Sequence, residues 1–197
     1  MANPTNDKNR TQIKLGPALG SYANIFKPRA IDEKSEPKYS IALLFEKKTA
    51  DKQLAELRKL MEFVAAEKFG PKWKAIPKFH LPIRDGDVEK PEQKEYAGKL
   101  FINASSKRAP QVVDRHLVAV ISEDEAYSGC MFVASVNVYA FDKAGNKGVA
   151  LGLNNLLVWE KGEKLAGGKS AAEDFAEFAD GSPGGVDAAA ADEDPLS

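Results

Sequence analysis

The chain has 197 residues, is 43% apolar and 29% charged, and carries 28 basic against 29 acidic side chains. This is a globular composition, with enough apolar material for one domain of ordinary size. It excludes a disulfide-framed chain, because Cys130 is the single cysteine, and a helical membrane span, because no apolar run approaches the ~20 residues required.

The near-neutral total hides an asymmetry. Ser170–Ser197 holds eight acidic residues (Glu173, Asp174, Glu177, Asp180, Asp187, Asp192, Glu193 and Asp194) and no Lys or Arg, leaving 28 basic against 21 acidic residues before it. A basic body joined to an acidic tail points to a nucleic-acid partner and to a tail that competes for the same surface. The lone cysteine and the polar start Met1–Lys8 point to a soluble protein of a reducing cytoplasm or nucleus, with no membrane association.

Residues 1–11 read as a flexible polar arm, 12–165 as the folded domain and 166–197 as a disordered acidic tail. A first strand, Gln12 to Phe26, is interrupted by Gly16-Pro17 and Gly20, which predicts a bend or bulge. Pro37 opens a second, in which Tyr39, Ile41, Leu43 and Phe45 recur with period two. Thr49 is then placed to cap a helix whose apolar stripe is Leu54, Leu57, Met61 and Val64, ended by Phe69 before Gly70-Pro71.

Residues 71–98, punctuated by Pro71, Pro77, Pro82 and Pro91, read as a long surface connection with a short edge strand near Phe79 to Ile83. Three more strands follow: Lys99 to Ser105, Cys130 to Phe141 and Val149 to Trp159, the last two joined as a hairpin through Asp142–Gly148.

No chemistry of a recognisable enzyme is present. His80 and His116 stand far apart, no metal-ligand spacing occurs, and there is no P-loop or nucleophile elbow. Asp85-Gly86-Asp87-Val88-Glu89 reads as a solvated acidic turn lacking the ligand order of a calcium loop. Cys130 reads as a buried structural thiol. No cofactor and no metal site is expected.

The strand faces carry the signal. Lys99, Phe101, Asn103 and Ser105 share one face of their strand, which runs on to Lys107 and Arg108; Ser135, Asn137, Tyr139 and Phe141 share one face of the longest strand. Aromatic rings, amides and hydroxyls rimmed by cations suit single-stranded nucleic acid, because rings stack on unpaired bases and cations meet phosphates. The same rings equally suit packing under a helix or loop. Two readings are likewise open for Trp73, between Lys72 and Lys74, which either stacks on a base or covers the helix end; Tyr22 and Phe26 divide in the same way. The expected single-stranded nucleic-acid surface is Phe101 and Tyr139 with Lys99, Lys107, Arg108, Lys38, Asn103, Trp73 and Phe141.

Five segments, Ser21–Pro28, Pro37–Ser40, Tyr127–Cys130, Ser135–Phe141 and Gly148–Leu153, together resemble the bacteriophage OB-fold single-stranded DNA-binding proteins, a family first catalogued as a phage domain of unknown function. The resemblance spans residues 12–165. It implies a mainly β protein: a five-stranded, partly open OB-fold barrel with an added helix and a disordered acidic tail. It also implies a non-enzymatic, sequence-tolerant binder of single-stranded DNA in phage replication, recombination and repair. In such proteins the acidic tail recruits partners, here through Asp187, Asp192, Glu193 and Asp194. The chain departs from the pattern at its end, Asp194-Pro195-Leu196-Ser197, where related tails often finish in Phe. A strand-annealing or recombination-mediator protein is the alternative, and both a monomer and a homodimer fit the sequence.

Overall fold

One 18-residue strand organises the molecule. The computed structural model describes residues 11–165 except Ile31, Lys34 and Ala144; residues 1–10 and the tail, with Asp187, Asp192, Glu193 and Asp194, lie outside the described residues. The strands are β1 (Gln12–Arg29), β2 (Lys38–Glu46), β3 (Ile83–Asp85), β4 (Lys99–Ser106), β5 (Gln111–Val113), β6 (Met131–Lys143) and β7 (Asn146–Glu160). Between β2 and β4 lie the helices α1 (Lys47–Gln53), α2 (Ala55–Phe69) and the single turn α3 (Gly86–Glu89).

The first part of β1 pairs with β6 and the rest with β2, both antiparallel, and its register shifts between Leu15 and Ala18 and again after Ser21. Two glycines permit the bend. At Gly16 φ is +120°, and a Cβ would stand 2.3 Å from the Phe132 carbonyl oxygen; at Gly20 it would stand 2.4 Å from the Phe132 ring. The interruption legible in the sequence is therefore a place where backbone and core ring touch.

β2 continues antiparallel to β4, and β6 and β7 form the expected hairpin. A short parallel contact, Ala104 with Leu151 and Ser105 with Gly152, closes the ring β1–β2–β4–β7–β6 into a five-stranded barrel. This is the OB-type barrel that the sequence led us to expect. The short strands β3 and β5 add to β4 and β7 respectively.

Alternation fills the barrel. Ile41, Leu43 and Phe45 of β2, Ile102 and Ala104 of β4, and Phe132, Ala134, Val136 and Val138 of β6 all point inward, and Cys130 is fully buried beside them. α2 buries Leu57, Met61, Val64 and Ala65 against β6 and β7. The predicted single helix is in fact two. It begins at Lys47, before Thr49, whose hydroxyl donates to the Glu46 carbonyl at 3.3 Å, and it breaks at Leu54. That residue leaves helical geometry (φ −101°, ψ 4°) as its side chain becomes fully buried.

The connection 71–98 is anchored along its length. Trp73 joins the main core, its ring 5.1 Å from that of Phe79. Tyr96 is buried outside the barrel in a second cluster with Ala42, Leu44 and Phe101. The edge strand begins at Ile83, where the sequence suggested Phe79. The acidic turn fastens the segment down: Lys47 reaches Asp85 at 2.7 Å and Asp87 at 2.6 Å, the Gly98 amide donates to Asp87, and Arg84 pairs with Glu89.

Candidate nucleic-acid interface

Residues that alternate with the core positions face outward, and on β1, β2 and β4 they form the floor of a groove. Asn24, Ser40, Ala42, Phe101, Asn103 and Ser105 line a hollow of about 520 Å³, with Tyr22, Arg29, Arg84, Lys90 and Tyr96 at its walls. An adjoining hollow of about 560 Å³ is lined by Arg29, Ser35, Glu36, Lys38, Ser40, Ser105, Lys107 and Lys143. Arg29, Ser40 and Ser105 belong to both, so the two are one continuous channel.

The channel is basic. Its lining includes Arg29, Lys38, Arg84, Lys90, Lys107 and Lys143, against Glu36 as the carboxylate among these lining residues. Lys107 pairs with Glu36, and the hydrogen bond and charge of Lys107 hold the Glu36 carboxyl below its ordinary value. Amides and hydroxyls occupy the floor: Asn24 Nδ2 donates to the Tyr22 carbonyl at 3.2 Å and to Ser40 Oγ at 3.3 Å. A polar floor between cationic walls accepts a backbone of single negative charges and leaves bases free to lie against rings.

Tyr22 is the most exposed ring in the lining. Its side chain is 48% exposed and its backbone is left-handed, φ +47°, where the β1–β2 register slips between Ser21 and Asn24. A bulky residue in that conformation is strained and is kept there by its surroundings. Two contacts hold it: Gln93 Nε2 donates to the Tyr22 hydroxyl at 2.8 Å, and Lys90 Nζ lies 5.4 Å from the ring centroid.

The expected site residues fall into three groups. Asn103 lies on the floor, and Lys38 and Lys107 on the walls. Arg108 follows directly, its amide donating to Ser106 Oγ at 3.0 Å. Tyr139 is 46% exposed around the barrel from these; a Cβ built on Gly152 would stand 3.7 Å from its ring, and Gly152 is paired with Ser105. Phe141 is half-buried and stacks on His80, centroids 6.3 Å apart.

A second group is turned away from solvent. Phe101 does sit on the outer face of β4, but it is 1% exposed, covered edge-on by Tyr96 and by the Arg84 guanidinium 4.9 Å from its ring centroid. Trp73 is 8% exposed within the core, under Lys74, so of its two readings the structure supports packing at the helix end. The third case is Lys99. It lies at the opposite end of β4 from Ser105, about 20 Å away at strand rise, where it pairs with Glu46 at 3.2 Å.

Sequence reasoning left out Arg29, Arg84, Lys90 and Lys143, and did not decide Tyr22. The adjoining Tyr22 and Asn24 with Arg29 on one bent strand were the available signal. Arg84 and Lys90 reach the groove only because the 83–98 segment docks on β4. Among the described residues no group of three His, Cys, Asp or Glu side chains is placed to hold a metal ion, and no helix is long and apolar enough to cross a membrane.

The family model for the single-stranded DNA-binding protein of Enterobacter phage Enc34 matches residues 11–185. Protein p50 of Acyrthosiphon pisum secondary endosymbiont phage 1 is 31% identical over 167 residues, covering 80% of this chain and 88% of that protein. Among solved structures, the single-stranded DNA-binding protein from bacteriophage Enc34 in complex with single-stranded DNA is similar at a TM-score of 0.71 and 25% identity, over 80% of this chain and 90% of that one. The single-stranded DNA-binding protein gp2.5 of bacteriophage T7 shares the fold at a TM-score of 0.56 and 16% identity, over 85% and 93% of the two chains.

Proposed function

The chain belongs to the family of the phage Enc34 single-stranded DNA-binding protein, and from that premise we propose that it binds single-stranded DNA along the groove of β1, β2 and β4. Arg29, Lys38, Lys107 and Lys143 meet phosphates at one end, Arg84 and Lys90 at the other. Tyr22 and Tyr139 offer ring faces to bases, while Asn24, Asn103, Ser40 and Ser105 give polar contacts that suit any base. The protein acts by binding, without a reaction of its own, and serves phage DNA replication, recombination and repair in the host cytoplasm. The acidic residues Asp187, Asp192, Glu193 and Asp194 recruit proteins of those processes.

The observation that carries this reading is the channel itself: a polar floor among six cations and the exposed ring of Tyr22, with Glu36 its one carboxylate among the described lining residues. Fluorescence anisotropy with labelled oligo(dT) and with duplex DNA of equal length, at increasing salt, tests it. Tighter binding to oligo(dT) that weakens steeply with salt is expected. Equal affinity for the two forms at moderate salt overturns the reading.

A further inference from the structure

The Lys107 end of the channel contains its own anion. Glu36 stands in the hollow with Arg29, Lys38, Lys107 and Lys143, is paired with Lys107, and is drawn further by the charges of Lys143 and Lys38. A carboxylate and a phosphodiester present the same thing to an ammonium group, a singly charged pair of acceptor oxygens. Glu36 therefore sits in the free protein where a phosphate of the strand would sit in the complex.

Resting on the binding mode proposed above, we infer that Glu36 is an internal competitor: its carboxylate occupies the Lys107 end of the channel and a DNA phosphate displaces it, so that Glu36 limits affinity. The pair is built to give way. Both side chains are more than two-thirds exposed, Lys107 at 69% and Glu36 at 68%, and exposed ion pairs are weak and readily exchanged in water. Glu36 also lies on the β1–β2 connection, outside both strands, so its displacement disturbs no ladder hydrogen bond. DNA entering this end exchanges one anion for another, where a neutral residue would leave Lys107 open from the start.

The test is oligo(dT) affinity of the full chain, Glu36→Gln, Lys107→Gln and the double variant at low and high salt, with melting curves for each. Glu36→Gln is expected to bind about two- to fivefold more tightly at low salt, the range of one exposed ion pair, with the gap closing as salt screens it. In the Lys107→Gln background the gain should shrink by half or more, the coupling that a double-mutant cycle isolates. Glu36→Asp, which keeps the charge on a shorter stem, should lie between the native chain and Glu36→Gln.

Unchanged affinity in Glu36→Gln overturns the inference, and weaker binding does so too, by making Glu36 a residue that holds Lys107 in position. Duplex DNA of equal length, titrated against the same samples, separates this failure from that of the binding mode. If the native chain does not prefer oligo(dT) to duplex, the mode itself fails; if it does and Glu36→Gln gains nothing, only the competitor fails.

Discussion

Tyr96 meets Phe101 edge to face, ring centroids 5.1 Å apart and planes at 87°, and each residue is 1% exposed. The pair seals the 83–98 segment onto the outside of β4, so Phe101 serves the groove as the foundation of one wall. Phe101→Ala should then destabilise the protein by about 3–5 kcal/mol, as for other buried Phe deletions, read as a shift in the urea midpoint. Phe101→Leu keeps most of the volume and should cost about 1 kcal/mol while leaving oligo(dT) affinity close to native. A loss of affinity in Phe101→Leu with stability intact would mean that the ring itself meets the DNA.

Tyr22 combines strain with exposure, which separates its effect on folding from its effect on binding. Tyr22→Ala and Tyr22→Gly should both lose about 1–3 kcal/mol of binding to oligo(dT), the range for one stacked base. Glycine relieves the left-handed backbone, so Tyr22→Gly should be more stable than Tyr22→Ala by about 1 kcal/mol. Tyr22→Phe, which lacks the hydroxyl that Gln93 holds, should bind more tightly than either. Thermal melts and anisotropy on the same samples check all three.

The cations should reveal themselves in the salt dependence. Replacing Arg29, Lys38 or Lys143 by Gln removes one phosphate contact each and should lower the slope of log K against log salt by about 0.7, the increment for single strands. Lys74→Gln is the control, because Lys74 lies over Trp73 and pairs with Glu62, outside the channel lining. A slope unchanged in all three channel variants would place the DNA elsewhere.

Acid should loosen the 83–98 segment. Lys47 and the Gly98 amide hold the Asp87 carboxyl below its ordinary value of 3.8, and the two carboxylates Asp85 and Asp87 raise Lys47 above 10.5. The depressed Asp87 contributes stability that is present above pH 3.8 and lost as the pH falls through its folded value. The raised Lys47 contributes stability that is lost only above pH 10.5. Asp87→Asn should therefore lower the urea midpoint at pH 7, and the difference from the native chain should vanish below the depressed value. A difference that does not shrink as the pH falls below 3.8 would assign the effect to packing.

What the sequence made legible was the set of strand faces. Ile102 and Ala104 against Asn103 and Ser105, and Phe132 to Val138 against Ser135 to Tyr139, alternate because the pleat alternates, so inside and outside follow directly. Period two says nothing of what covers an outer face, and that is why Phe101 and Trp73 read as candidates for stacking. Their covers, Tyr96 and Phe79, come from a Pro-rich stretch that docks by tertiary contact alone. Arg84 and Lys90 were invisible for the same reason. Gln111–Val113 is too short to show any period, and the φ of Tyr22 depends on a register slip that only pairing with β2 creates.

Whether the strand lies across β1, β2 and β4 is tested most directly by photo-crosslinking oligo(dT) that carries 5-iodouracil, followed by mass spectrometry of the crosslinked peptides. Crosslinks at Tyr22 and Tyr139, suppressed by excess unlabelled oligo(dT) and by high salt, are expected. Crosslinks confined to Trp73, Phe79 or Trp159, with none at Tyr22 or Tyr139, would contradict the placement and move the DNA to another face of the barrel.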